Sequence, residues 1–385
     1  MNITLNFAKE KQTIDIPDKN ILQILVPNEF EAGLINEDEI EWALDNPIES
    51  LPIEELFSAE DTVAVVIGAT IRPDANKIVL PQILCRLALA GVKAENITVV
   101  VALGGHPKHS EAEMIVLVGA DLFDSYRCVD AGSDGYLNVG TASNGTEFEM
   151  CKHVVDAAKR ICIATIEYHI LFGYSGGAVT LIPGVSSAAT VASLLQLVDD
   201  VATRSGSLQG NPVRTTIDEI MDHCPVTFIL NVVLDEQKRI IKAVAGDCDQ
   251  AHRVGCEFLD SIYKIPIAEQ ADIVLVSAGG WPNDIDFARA QKALDHAQQA
   301  VAGGGTIILL AACSEGVGNA MPLPALATTE TCIVSDLSPA TIAALFIKGY
   351  EELEFAFDVA LAKYGADAKV IVIPYGVATL PQLEN

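Results

Sequence analysis

The sequence predicts an α/β protein of two domains, each on a mainly parallel sheet, with a cleft between them. Three observations lead there. First, short continuous apolar runs recur with helical stretches between them: Thr62–Ile67, Ile97–Leu103, Ile161–Thr165, Val226–Val233, Ile273–Val276 and Thr306–Leu310. Strands without polar alternation are buried on both faces, which is the habit of parallel sheets covered by helices. Second, 385 residues, half of them apolar and a fifth charged, are enough for two ordinary cores. Third, a fresh strand, Gly-rich loop, helix and strand begin after the proline-containing stretch Tyr263–Gln270, which follows a predicted helix Gln250–Ile262. The predicted domains are therefore 1–265 and 270–385. One hairpin interrupts the pattern, with Leu137–Ala142 and Thr146–Met150 flanking Asn144-Gly145, a favoured two-residue turn.

Composition narrows the partners. The chain carries 24 basic and 52 acidic residues, a net charge of −28. Such a surface repels phosphate backbones and anionic lipid, so neither nucleic acid nor membrane is expected as a partner. Solubility alone explains the acidity equally well. The opening residues alternate like a strand rather than a signal peptide, and no uncharged apolar run reaches bilayer length. The nine cysteines are scattered without a CxxC pair, and Cys162 and Cys313 sit in or beside apolar runs, where cysteine acts as a small hydrophobe. A reduced cytoplasmic protein is the expectation. An oligomer is compatible with all of this.

In open α/β sheets, ligands gather at the carboxyl ends of strands. That rule selects residues 68–73 (GATIRP), 104–109 (GGHPKH), 166–184 (IEYHILFGYSGGAVTLIPG), 279–292 (GGWPNDIDFARAQK) and 313–319 (CSEGVGN). His106 directly follows a strand, and Ser110 with Glu113 fits a capping box that starts the next helix. His109 makes an HxxH with His106. That is weak as a metal motif, and solvation of the helix start is the blander account. His169 lies just past the strand Ile161–Thr165. A lone histidine is usually structural. Two at the carboxyl ends of separate strands point to acid–base work near neutral pH.

Gly173-Tyr174-Ser175-Gly176-Gly177 matches GxSxG, the nucleophile elbow of α/β-hydrolases. The elbow needs a strand ending at the serine and a helix beginning after it. Here residues 167–172 intervene, and Pro183-Gly184 follows too soon for a helix. A glycine turn close to a ligand is the better reading. Arg72, Arg289 and Lys292 place cations on or near these loops and suit a carboxylate or a phosphate, although each alone also reads as a surface charge. Walker A and GxGxxG sequences are both missing, which removes support for P-loop and dinucleotide readings.

The run IEYHILFGYSGGAVTLIPG resembles the signature segment of the lactate racemase family. The likeness extends to Ile71-Arg72-Pro73, to the GGH of 104–106, and to GGWPNDIDFARAQKAL with CSEGVGN behind it, in the family's order over most of the chain. The resemblance implies a racemase or epimerase of a 2-hydroxy acid or sugar acid, using a nickel pincer nucleotide and two histidine bases. His106 and His169 match those histidines. Arg72, Gly173, Tyr174, Ser175, Gly176, Gly177, Pro183 and Gly184 match the cofactor's surroundings, and Arg72, Arg289 and Lys292 the substrate-holding positions.

The chain also departs from the family. The lysine to which the family joins its cofactor is replaced by Val179, and the nickel-ligating histidine by Leu195. Neither side chain can bond an acyl group or a metal. Ala69 and Ile71 replace usual polar residues, and Arg289 stands in place of a glutamine, adding a cation for a second acid group. The sequence therefore leaves three readings. One is a racemase or epimerase that holds the nickel cofactor non-covalently. Another is a nickel-independent isomerase or lyase on the same fold. The last is a non-catalytic relative that binds a small acid.

Overall fold

The computed structural model describes residues 1–385 except 32, 69–72, 105–106, 199, 201, 236, 321–328, 346 and 385. Two six-stranded sheets organise them. In chain order their strands are β1 (Ile21–Ile24), β2 (Val63–Ile67), β3 (Ile97–Val101), β4 (Arg127–Asp130), β5 (Lys159–Thr165), β6 (Phe228–Leu234), β7 (Ile240–Gly246), β8 (Ala271–Ser277), β9 (Val301–Leu310), β10 (Glu330–Val334), β11 (Lys348–Tyr350) and β12 (Val370–Ile373). Each of the six apolar runs singled out in the sequence coincides with one of these strands, three of them running one or two residues past its end.

The chain divides into two compact units, 31–259 and a second that joins 1–30 to 260–385. The division expected from sequence, 1–265 against 270–385, differs at the amino terminus. Strand β1 pairs in parallel with β12, and residues 2–7 and 10–15 form a hairpin whose Leu5 and Ile14 pack under β8 and β9. Residues 264–267, expected as linker, form a strand paired with residues 380–383.

In unit 31–259 the sheet order is β7-β6-β5-β2-β3-β4, parallel except for the antiparallel edge strand β7. The chain runs outward from β2 to β4, then returns to place β5 on the other side of β2. The switch point, where the crevice of such a sheet opens, therefore lies between β2 and β5. In the other unit the order is β11-β10-β9-β8-β12-β1, all parallel, with its switch between β8 and β12.

The apolar runs are continuous because both faces are covered. Along β8 and β9, Val274, Val276, Ile307 and Leu309 face the helix Phe287–Gln298 through Ala290, Ala293 and Leu294. Their neighbours Ile273, Leu275, Ile308 and Leu310 face the helix Leu353–Tyr364 and the amino-terminal hairpin. Each buried aliphatic side chain adds roughly 1.5–3 kcal/mol.

The hairpin of residues 136–151 is present, but its connection differs from the two-residue turn expected. Gly145 N–H bonds Ala142 O at 2.9 Å and Ala142 N–H bonds Thr146 O at 2.9 Å, leaving a three-residue loop. Gly145 closes it with φ +87°, the left-handed position such loops require. Among the described residues no helix is long and apolar enough to cross a membrane. Cys162 and Cys313 are buried as expected, and burial pushes the Cys313 thiol up to about 12.

Candidate functional site

Strand β5 ends at Thr165, and the chain turns back on itself at the carboxyl edge. Tyr168–His169 pairs antiparallel with Gly173–Tyr174, His169 lying opposite Gly173. This small ribbon holds the partly buried His169. Its Nδ1 accepts the backbone N–H of Leu171 at 3.1 Å and of Phe172 at 3.4 Å, and its ring stacks on Phe172 with centroids 4.4 Å apart. Glycine is required at 173. Its φ is +74°, and a Cβ there would stand 2.0 Å from Ser207 O.

The Ser175 hydroxyl is fully engaged, donating to Thr165 O at 2.8 Å and accepting Glu167 N–H at 2.9 Å, in a residue only 3% exposed. It is a structural hydroxyl, and the segment continues as the 3-10 turn Gly177–Thr180 rather than an α-helix, so the hydrolase elbow is absent. Tyr174 is equally buried, with its hydroxyl donating to Gly206 O at 3.4 Å. The turn thus offers backbone rather than polar side chains at these two positions.

Two residues that sequence reasoning missed support the turn from below. Asn231 Oδ1, on β6, accepts Gly177 N–H at 2.8 Å. His252 Nε2–H donates to Ser175 O at 2.8 Å. Burial first, and the Arg214 charge second, push the His252 imidazole down to about 3, so it stays neutral and structural. Around the same turn, Asn231 Nδ2, Thr165 Oγ1 and Thr180 Oγ1 are buried with no hydrogen-bond partner among the described residues. Buried polar groups are normally satisfied, so a set of them at a strand's carboxyl end marks a place where a ligand or water completes the bonding.

The loop after β3 meets this segment directly. Leu103 N–H and Gly104 N–H both bond Gly184 O, at 2.9 and 3.1 Å, which ties the approach to His106 to the Pro183-Gly184 turn. The capping box is present, with the Ser110 side chain accepting Glu113 N–H and the Glu113 carboxylate returning to Ser110. His109 just before it is more than a solvated helix start. Its Nδ1–H donates to Asp130 Oδ1 at 2.7 Å and its backbone N–H to Asp130 Oδ2 at 2.8 Å. His106, Arg72, Ala69 and Ile71 lie outside the described residues.

Arg289 and Lys292 belong to the other unit, on the helix that follows the loop after β8. Asp286 caps that helix by accepting Arg289 N–H at 2.8 Å. The Arg289 guanidinium, 53% exposed, lies 3.5 Å from the same carboxylate. Lys292 is partly buried, and its charge adds to burial in pushing His296 down to about 3.

The resemblance implies a nickel pincer nucleotide tethered through a lysine amine, with a histidine on its metal. Val179 is 9% exposed and Leu195 sits in the helix Ala188–Leu195, both hydrocarbon. From 170 to 195 the sequence has no Lys, His, Cys, Asp or Glu. Among the described residues no group of three such ligands comes together elsewhere. The residues present do not fit the family's way of holding that group.

Residues 7–200 match the family model described as the lactate racemase N-terminal domain, and residues 267–331 the one described as the lactate racemase C-terminal domain. The chain is 30% identical over 325 residues to the lactate racemase of Thermoanaerobacterium thermosaccharolyticum, covering 83% of this chain and 76% of the relative. It is 28% identical to the lactate racemase of Lactiplantibacillus plantarum, covering 98% and 99%. The solved lactate racemase apoprotein of the Thermoanaerobacterium species superposes with a TM-score of 0.90 at 26% identity, covering 99% of this chain and all of that one.

Proposed function

The chain belongs to the lactate racemase family, and from that premise we propose that it racemises or epimerises a 2-hydroxy acid or sugar acid, with His106 and His169 moving the hydroxyl proton. The observation that carries this reading is His169, fixed by backbone N–H groups and by Phe172 at the carboxyl end of β5, beside the switch point of the sheet. A histidine so placed is preorganised for proton transfer to or from a bound hydroxyl. Inversion needs proton handling on two sides of one carbon. His106 supplies the second side from the loop after β3, whose residues 103 and 104 are bonded to Gly184. Arg72, Lys292 and Arg289 are the cations proposed for the acid group of the substrate.

The backbone of Gly173–Gly177 with Pro183-Gly184 is the proposed bed for a cofactor. With hydrocarbon at 179 and 195, a nickel pincer nucleotide there has to be held without a covalent bond. The same two residues favour a second reading, a nickel-independent isomerase or lyase on this fold. One experiment separates them. Purified protein, with and without nickel cofactor, is incubated with 2-hydroxy acids and sugar acids while chirality and α-hydrogen exchange are followed. Inversion that depends on cofactor supports the first reading, and turnover without it the second. Binding without turnover leaves a small-acid-binding protein. Intact mass should return the bare polypeptide under every condition, and a cofactor-sized adduct would overturn non-covalent binding.

A further inference from the structure

The ribbon that carries His169 is two residues a side, too short to hold its own shape in water. Its geometry is set from outside, by the segment 206–211. Gly206 N–H bonds Gly173 O at 3.0 Å, on the residue opposite His169. At the other end of that segment, Asn211 Nδ2–H donates to Leu171 O at 2.8 Å, at the tip of the ribbon, and lies 3.4 Å from Ser207 O. Asn211 Oδ1 accepts the backbone N–H groups of Val213 at 3.0 Å and Arg214 at 3.2 Å, which caps the helix Pro212–Met221. The side chain is wholly buried, and its orientation follows from its partners, N–H groups at one end and carbonyls at the other. Capping alone does not call for asparagine, since serine or aspartate caps a helix as well. The amino group that holds Leu171 is what those residues lack.

The bond to Leu171 O reaches His169 through one peptide group. Leu171 O and Phe172 N–H belong to the same planar trans peptide, which sets them on opposite sides. A donor that fixes the oxygen therefore fixes the direction of the N–H, and that nitrogen lies 3.4 Å from His169 Nδ1. The Phe172 ring, carried on the same backbone, stacks on the imidazole at 4.4 Å. Hydrogen bonds in series through an amide also strengthen one another. We propose that Asn211 is a positioning residue for His169, setting where its imidazole stands through the Leu171–Phe172 peptide. This rests on the racemase reading given above. His169 keeps its proton-transfer role, and Asn211 decides the ring's place when the proton moves. Misplacing a reacting group by about 1 Å can cost roughly a hundredfold in rate, so a brace of this kind is worth having.

The test uses Asn211→Ser and Asn211→Asp, which keep a helix cap and lose the donor to Leu171. Folding is checked by circular dichroism and chemical denaturation. Asn211→Ser carries the test by itself if the carboxylate of Asn211→Asp, set against two carbonyls, prevents folding. On a hydroxy acid that the wild type inverts, kcat should fall about ten- to a hundredfold while KM stays within about threefold. In histidine-labelled protein, the ring signal of His169, assigned by its loss in His169→Gln, should move in the folded variants. A double-mutant cycle decides whether the effect runs through that ring. Adding Asn211→Ser to His169→Gln should cost less than about twofold more, because the group that Asn211 positions is already gone. A residue that only caps the helix would lower stability and leave kcat and the ring signal in place. One that acts independently of His169 would repeat its full loss in the double mutant. Either result overturns the proposal. If the wild type inverts no hydroxy acid, the racemase reading falls and the ring signal decides alone, a displaced signal supporting the brace and an unmoved one overturning it.

Discussion

The two units use one plan twice and treat the carboxyl edge differently. In the unit of residues 1–30 and 260–385, the loop after β8 is pinned by backbone. Asp284 Oδ2 accepts Ala8 N–H at 2.7 Å, while Cys313 N–H bonds Asp284 O at 2.7 Å and Trp281 N–H bonds Ala8 O at 2.7 Å. Three segments distant in sequence lock one another. In the unit of residues 31–259, the loops after β3 and β5 hold histidines instead, above a glycine turn ringed by Thr165, Thr180 and Asn231 with unmet hydrogen bonds. Both units bury polar atoms with no bond among the described residues, Asp284 Oδ1 included, so the difference lies in what the loops carry. One edge spends its carboxylate and backbone on holding segments together, and the other presents histidines.

That contrast breaks most visibly at the histidines. Replacing His169 or His106 by glutamine keeps bulk and hydrogen bonding but removes the titrating group. Each should lower the inversion rate by about a hundred- to ten-thousandfold, the usual worth of acid–base help. A mutant that still exchanges the α-hydrogen of one enantiomer alone would show which side it served. Wild-type rates in both mutants would remove the pair and favour a binding protein.

Next in size is acid stability, where the units should behave alike. His252 in one and His296 in the other are fully buried and pushed from 6.5 to about 3. The unfolded chain takes up those protons first as pH falls below 6.5, so folding stability declines between pH 6.5 and about 3 and is flat in this respect outside that window. At about 1.4 kcal/mol per pKa unit each histidine accounts for several kcal/mol over the whole interval. Chemical denaturation at pH 7 and pH 4.5 should show the loss, and His252→Gln should make it smaller. A stability independent of pH from 7 to 4.5 would mean that water reaches both rings.

Gly173→Ala comes third. The new methyl meets a backbone carbonyl rather than a flexible side chain, at a φ of +74°. A loss of about 2–4 kcal/mol follows from overpacking and left-handed strain together. Gly145, also at positive φ but with nothing within 4 Å of a Cβ, should tolerate alanine at roughly 1 kcal/mol.

The sequence shows the fold where burial is local to a strand. β2, β3, β5, β6, β8 and β9 announce themselves as unbroken apolar runs because helices cover both faces. It hides β1, a short and partly exposed strand whose partner β12 lies some 350 residues away. The candidate site divides in the same manner. His169 and the glycine turn are visible as a contiguous motif. His252, 77 residues from the carbonyl it supports, and Asp130, 21 residues from His109, are ordinary helix and strand residues until the chain folds. No periodicity marks a side chain whose role is to hold another from a neighbouring element.

Arg289 is where the smallest effect is expected, and where sequence and structure pull apart. As a cation replacing a glutamine it invites a second acid group on the substrate. In the structure its guanidinium is half exposed, 3.5 Å from the Asp286 carboxylate and 3.5 Å from Pro282 O. An exposed pair of this kind is worth about 0–1 kcal/mol, since solvent screens it and ordering the long side chain opposes it. The helix start survives its loss, because Asp286 caps through the backbone N–H of residue 289, which any residue but proline provides. Arg289→Gln should therefore shift the denaturation midpoint barely, and change KM for a singly charged hydroxy acid less than threefold. The informative comparison is with a doubly charged acid of similar size. A rise in KM of tenfold or more confined to that substrate would show the guanidinium leaving Asp286 for the ligand, and would make the unit of pinned loops a partner in specificity. Equal KM values for both acids would leave Arg289 as a surface charge on a helix.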